Sequence, residues 1–66
     1  MELTINGQVR QFDAMPTVSE LLDLLGLAER RLAVEVNGRI VPRSRHAEER
    51  LAAGDVVELV QAIGGG

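Results

Sequence analysis

Polar and apolar residues alternate from Glu2 to Asn6, with Leu3 and Ile5 on one face and Glu2 and Thr4 on the other. A period of two predicts a half-buried strand. Asn6-Gly7 follows, the strongest short hairpin signal, because both central positions of a type I′ turn need φ > 0. The return strand, about Gln8 to Asp13, is less regular. Val9 and Phe12 are three apart, so strict alternation cannot bury both. A bulge or a three-residue loop each resolves that conflict, and Phe12 is the residue expected in the core.

The period then changes. Val18, Leu21, Leu22 and Leu25 fall at i, i+3, i+4 and i+7, the stripe of an amphipathic helix. Its start is marked by Thr17 and Glu20, spaced as a capping box in which each side chain satisfies an amide of the first turn. Its stop is marked by Gly26 at the left-handed C′ position, with Leu27 folding back on Leu22. A helix of two to three turns does not persist alone, so it must lie on a sheet. Leu32, Val34 and Val36 alternate with Ala33, Glu35 and Asn37, which predicts a third strand. Asn37-Gly38 repeats the first turn signal. Arg39 to Val41 is a short fourth strand, and Pro42, which cannot donate to a ladder, marks it as an edge. Arg43 to Arg50 reads as a charged loop with room for one helical turn near Glu48 to Leu51. Leu51 to Asp55 turns into a last strand, Val56 to Ala62, with Val57 and Leu59 toward the core. Val56, Glu58, Val60 and Ala62 then share the outer face. The order strand, strand, helix, strand, short strand, strand is that of an α+β domain, one helix on a sheet of four or five strands, and it suggests a β-grasp.

Composition narrows what such a domain can do. The 66 residues carry no repeat and no linker and make one small domain, near the size where a single core barely suffices. Phe12 is the only aromatic residue, so the core is aliphatic and base stacking is disfavoured. The net charge of −3 comes with no dense basic patch, which argues against nucleic acid. No apolar run reaches membrane-spanning length and no signal peptide opens the sequence, so a soluble cytoplasmic protein is expected. With no cysteine, the chain cannot carry a persulfide or a thioester on a thiol of its own. It also has no lysine on which copies of itself could be joined. His46 has no second His, Cys or paired acid near it in sequence and reads as a solvated surface residue. No catalytic constellation, metal set or phosphate loop is present, so no catalytic residue, bound cofactor or metal is assigned.

The remaining candidate for chemistry is the run Gly64-Gly65-Gly66 after Ile63. Such a run is, by itself, equally consistent with an inert end. Without Cβ atoms, however, it fits a channel too narrow for other residues and leaves the Gly66 α-carboxylate open to attack. Three extended residues reach about 10 Å, enough to enter a partner's active site from a docked body. Ordering them costs on the order of 3–6 kcal/mol. The tail therefore cannot supply the affinity, and the folded part, residues 1–63, must dock. The outer face of the last strand, Val56, Glu58, Val60 and Ala62, leads directly to residues 64–66 and is the candidate docking surface.

Five stretches carry a resemblance over the whole length: Leu-Thr-Ile-Asn-Gly-Gln at the start, Thr-Val-Ser-Glu-Leu-Leu in the helix, Ala-Val-Glu-Val-Asn-Gly-Arg-Ile-Val-Pro-Arg, Ala-Gly-Asp-Val-Val-Glu-Leu-Val, and the final Gly-Gly. Together they resemble the ubiquitin-like sulfur carriers of thiamine biosynthesis. The resemblance implies a β-grasp with the last strand beside the first in the middle of the sheet. It implies that Gly66 is adenylated by a ubiquitin-activating-enzyme-like adenylyltransferase that uses ATP. Sulfur drawn from cysteine by a desulfurase then replaces AMP, and the Gly66 thiocarboxylate donates it to the thiazole of thiamine on a thiazole synthase. The family's role falls on Gly65 and Gly66, with Gly64 as added flexibility. On this reading the chain is a carrier and co-substrate, not an enzyme.

Three alternatives stay open. The small subunit of molybdopterin synthase uses the same thiocarboxylate chemistry but tends to be longer. A protein modifier joined to lysines uses the same terminus. A plain β-grasp interaction module would keep the glycines as an inert tail.

Overall fold

The computed structural model describes residues 1–61. Its elements are β1 (Glu2–Ile5), β2 (Gln8–Gln11), α1 (Val18–Leu24), β3 (Leu32–Val36), β4 (Arg39–Val41), a 3₁₀ turn (Arg43–Arg45) and β5 (Val56–Gln61). The strands form one sheet in the order β2-β1-β5-β3-β4, so β5 is central and β4 is an edge. β5 runs parallel to β1 and antiparallel to β3. This is the β-grasp arrangement, with the last strand beside the first. No described helix is long and apolar enough to cross a membrane.

The first hairpin needs neither a bulge nor a three-residue loop. Ile5 pairs with Gln8 and Glu2 with Gln11 in unbroken register, across a two-residue turn with φ 49° at Asn6 and 82° at Gly7. The Val9–Phe12 conflict is settled by leaving Val9 exposed on the outer face, opposite Thr4. Phe12 lies just past β2 and packs, half-buried, against the core. Its amide donates to the Met1 carbonyl at 2.8 Å, which carries the pairing one step beyond the strand.

Helix α1 begins and ends where its local signals place it. Glu20 N–H donates to Thr17 Oγ1 at 3.1 Å, and Thr17 N–H donates to Glu20 Oε1 at 2.8 Å. At the other end Gly26 has φ 73°. The Leu27 amide donates to the Leu22 carbonyl at 2.8 Å and the Gly26 amide to the Asp23 carbonyl at 3.1 Å, the paired bonds of a Schellman motif. Val18 and Leu21 are fully buried and Leu22 nearly so. They meet Leu3, Ile5, Val34 and Val57 from the sheet, with Val41 and Leu51 closing the aliphatic core.

The segment from Arg43 to Leu51 departs from its sequence reading. Its helical turn is 3₁₀ and lies at Arg43–Arg45, not near Glu48 to Leu51. His46 is buried rather than solvated. Its Nε2 lies 3.1 Å from the Val41 carbonyl, a contact in which the ring nitrogen donates because a carbonyl can only accept. The reason is backbone accounting. The first amides of a helix lack internal partners, and this loop supplies them. Val18 N–H donates to the Glu49 carbonyl at 2.9 Å and Ser19 N–H to the His46 carbonyl at 3.0 Å. Leu51 N–H donates to the Pro16 carbonyl at 2.9 Å, and the Arg50 guanidinium to the Met15 carbonyl at 2.7 Å. The charged loop is thus a cap over the start of α1.

Candidate functional site

The candidate site is the outer face of the sheet along β5 and the glycine run beyond it. Alternation along β5 turns Val57 and Leu59 toward the helix and Val56, Glu58 and Val60 away from it. Val56 and Val60 remain 43% and 51% exposed, and Glu58 is exposed. Three of the four surface residues expected from the sequence therefore share one open face. Ala62, Gly64, Gly65 and Gly66 lie outside the described residues.

Cross-strand register adds residues that the sequence reading missed. Ala33 stands opposite Val60 and Glu35 opposite Glu58. Ile40 stands opposite Glu35 in turn and is 71% exposed. The face is therefore a band of aliphatic side chains around two glutamates set directly across from each other. Like charges in that position oppose pairing, and a cationic group between them relieves the repulsion. The sequence holds half of this signal. The alternation of β3 puts Ala33 and Glu35 on one face, and the two-residue turn fixes Ile40 across from Glu35. The adjacency of β3 to β5 is a long-range fact that no local pattern carries.

Both turn asparagines act on β5 as well. Asn37 Oδ1 accepts from the Val56 amide at 2.9 Å, and its Nδ2 donates to Asp55 Oδ1 at 2.9 Å. Asp55 Oδ2 accepts from the Ala52 amide at 2.8 Å, so the Gly-Asp step before β5 is a knot that fixes where the strand begins. Asn6 holds the same strand farther on, at Leu59. Among the described residues no three His, Cys, Asp or Glu side chains gather as a metal site.

A family model described as the ThiS family matches residues 3–66. The chain is 48% identical over 66 residues to a thiazole synthase of Paramagnetospirillum magneticum, a match that takes in all of this chain and 20% of that protein. The chain thus spans about a fifth of the length of that relative. It is 38% identical to the sulfur carrier protein ThiS of Escherichia coli, over the whole of both. A crystal structure of a thiamine biosynthesis protein (ThiS) from Geobacter metallireducens superposes with a TM-score of 0.88 at 35% identity, again covering both chains fully.

Proposed function

The chain belongs to the ThiS family, and on that premise we propose that it is a sulfur carrier protein whose Gly66 α-carboxylate is converted to a thiocarboxylate. The observation that carries the reading is the family match itself, which runs through the final glycines to Gly66. The chemistry asks little of the carrier. A carboxylate is a poor electrophile, so an adenylating partner transfers AMP to it from ATP and releases pyrophosphate. A sulfur nucleophile drawn from cysteine by a desulfurase then attacks the acyl carbon, the bond to AMP breaks, and sulfur takes its place. If a persulfide delivers that sulfur, a thiol reductant cleaves the resulting disulfide. Glycine offers no Cβ to block either attack. ATP is held by the partner, and the carrier contributes a docked body and a reaching end.

Delivery to thiazole formation is favoured by the thiazole synthase match: a segment similar to this whole chain occurs within a protein of that name. That supports thiazole synthase as the recipient over the molybdopterin pathway, which none of these relatives names. Intact-mass spectrometry tests the reading. The protein is incubated with a candidate adenylating enzyme, ATP, a cysteine desulfurase, cysteine and a thiol reductant. The expected result is an AMP adduct followed by exchange of one oxygen for sulfur at Gly66. An unchanged mass, with the same enzyme competent on a known carrier, overturns it.

The outer face supplies the docking contacts in this scheme. Val60 is 51% exposed on the strand that leads to the tail. Val60→Asp puts a third carboxylate beside Glu58 and Glu35 and removes an aliphatic contact. Activation by the partner is expected to lose about tenfold or more in kcat/KM, equivalent to ~1.4 kcal/mol or more of binding. Thermal stability should change by no more than ~1 kcal/mol, the span of strand propensity at an exposed site. Wild-type adenylation kinetics with this variant would remove the face from the interface.

A further inference from the structure

The central strand loses its neighbour on one side partway along. In the parallel β1–β5 ladder, the Thr4 amide donates to the Asp55 carbonyl at 3.0 Å and the Asn6 amide to the Val57 carbonyl at 2.9 Å. The next rung belongs to Leu59, whose N–H and C=O point to the same side as those of Val57. The β1 backbone cannot supply it, because the chain turns away at Asn6 and Gly7, with φ 49° and 82°. The Asn6 side chain supplies it instead. Its Oδ1 accepts from the Leu59 amide at 2.7 Å, and its Nδ2 donates to the Leu59 carbonyl at 3.3 Å. A carboxamide offers one acceptor and adjacent donors, as a peptide unit does. The side chain thus stands in for the peptide that β1 would have placed there.

On its other side β5 pairs with β3 as far as Gln61, opposite Leu32. Among the described residues, Asn6 is the last partner of β5 on the β1 side. A strand paired on one side only is an edge, free to twist away from the sheet plane. Leu59 stands seven residues before Gly66, an extended reach of at most about 25 Å. Over the two described residues from Leu59 to Gln61, at most about 7 Å, a tilt of ~10° at Leu59 already displaces the chain by ~1 Å. A misplacement of about 1 Å at a reacting centre can cost two orders of magnitude in rate.

We propose that Asn6 is a positioning residue for the terminal chemistry: by holding Leu59 in the sheet, it sets the line along which the chain leaves toward Gly66. The proposal rests on the carrier reading above. It assigns the Asn6 side chain a role separate from its backbone role in the turn, and the two can be separated experimentally. Asn6→Gly keeps the turn, since glycine adopts positive φ freely and Gly-Gly is a favoured type I′ pair. It removes the carboxamide with its Cβ and adds backbone freedom to the unfolded chain, a change the helix amides would register as a uniform loss of protection.

Hydrogen exchange and activation kinetics are measured on the same preparations. In Asn6→Gly, exchange at the Leu59 amide is expected to rise about tenfold or more while the helix amides of Leu21 and Leu25 hold their protection. The kcat for adenylation is expected to fall about fivefold or more with KM within about twofold, because Val56, Glu58 and Val60 are untouched. Asn6→Asp keeps the acceptor and loses the donor, so it should fall between Asn6→Gly and wild type on both measures. Faster Leu59 exchange with unchanged kcat overturns the proposal and leaves Asn6 a strand clamp only. A rise in exchange at every site, with kcat and KM both impaired, overturns it in favour of general destabilisation. Wild-type protein runs in the same assay: its failure to be activated by an enzyme competent on a known carrier overturns the carrier reading, whereas activated wild type with an unaffected Asn6→Gly variant overturns the role of Asn6.

Discussion

Removing Gly65 and Gly66 is expected to reduce thiocarboxylate formation by at least about 10²-fold, the scale on which misplaced reacting groups lose rate. The folded body should not notice. Among the described residues the buried apolar side chains lie between Leu3 and Val57, and a glycine has no side chain to withdraw from water, so stability should stay within ~0.5 kcal/mol of wild type. The truncated chain still ends on a glycine, Gly64. Its carboxylate is as unhindered and as chemically competent as that of Gly66. What changes is reach, shortened by about 7 Å. The variant therefore separates two accounts of the glycines. If only an open carboxylate matters, activation survives. If a docked body must deliver the carboxylate to a fixed point, activation is lost while melting temperature and docking affinity are retained. Intact mass after incubation with the adenylating partner and ATP reads the first quantity, and competition of the truncated chain against wild type reads the second. Activation at the wild-type rate would show that the terminus is not held in register by the sheet.

What the sequence made legible was local. Helix α1 could be placed to the residue because its signals lie within one turn of its ends: the Thr17–Glu20 box and the Gly26 stop. The two Asn-Gly turns were likewise visible, since positive φ at consecutive positions is demanded within a dipeptide. The face assignment of β5 followed from alternation alone. The sheet order was not local. That β5 lies beside β1 in the middle of the sheet came from resemblance to a family, because parallel pairing of the first and last strands leaves no mark on either, and its pairing with β3 came from the structure alone. His46 was misread for the same reason. A lone histidine in a run of Arg and Glu reads as surface, and its burial follows from unpaired amides of a helix that begins far earlier in the chain. At the candidate site, Val56, Glu58 and Val60 were legible. Glu35 and Ile40, which complete the face, were not, and neither were the side-chain bonds by which Asn6 and Asn37 grip β5. An asparagine chosen for its backbone gives no sign of where its carboxamide will go.

Leu21→Ala is expected to take away a large share of the domain's stability, and Leu24→Ala almost none. The two residues are three apart on one short helix. Leu21 is fully buried against the sheet, whereas Leu24 is 67% exposed. Helix propensity barely distinguishes Leu from Ala, so the comparison isolates burial. Truncating a buried leucine costs about 2–5 kcal/mol, the spread depending on how far the site collapses. A chain of this length has a total stability of roughly 3–10 kcal/mol. With an aliphatic core and Phe12 as its sole aromatic neighbour, nothing large stands by to fill the cavity. The urea midpoint of Leu21→Ala should fall by about 1 M or more, given slopes of ~1–3 kcal/mol/M for small domains. Unfolding without denaturant is the extreme of the same result. Leu24→Ala should stay within ~0.5 kcal/mol of wild type. Equal midpoints for the two variants would mean that the helix is not what closes this core. The functional consequence differs in kind from that of truncation. A Leu21→Ala protein keeps its terminus and its outer face, so its activation should fall in proportion to the folded fraction and recover as temperature is lowered toward the maximum of its stability curve. The truncated chain, fully folded throughout, should recover at no temperature.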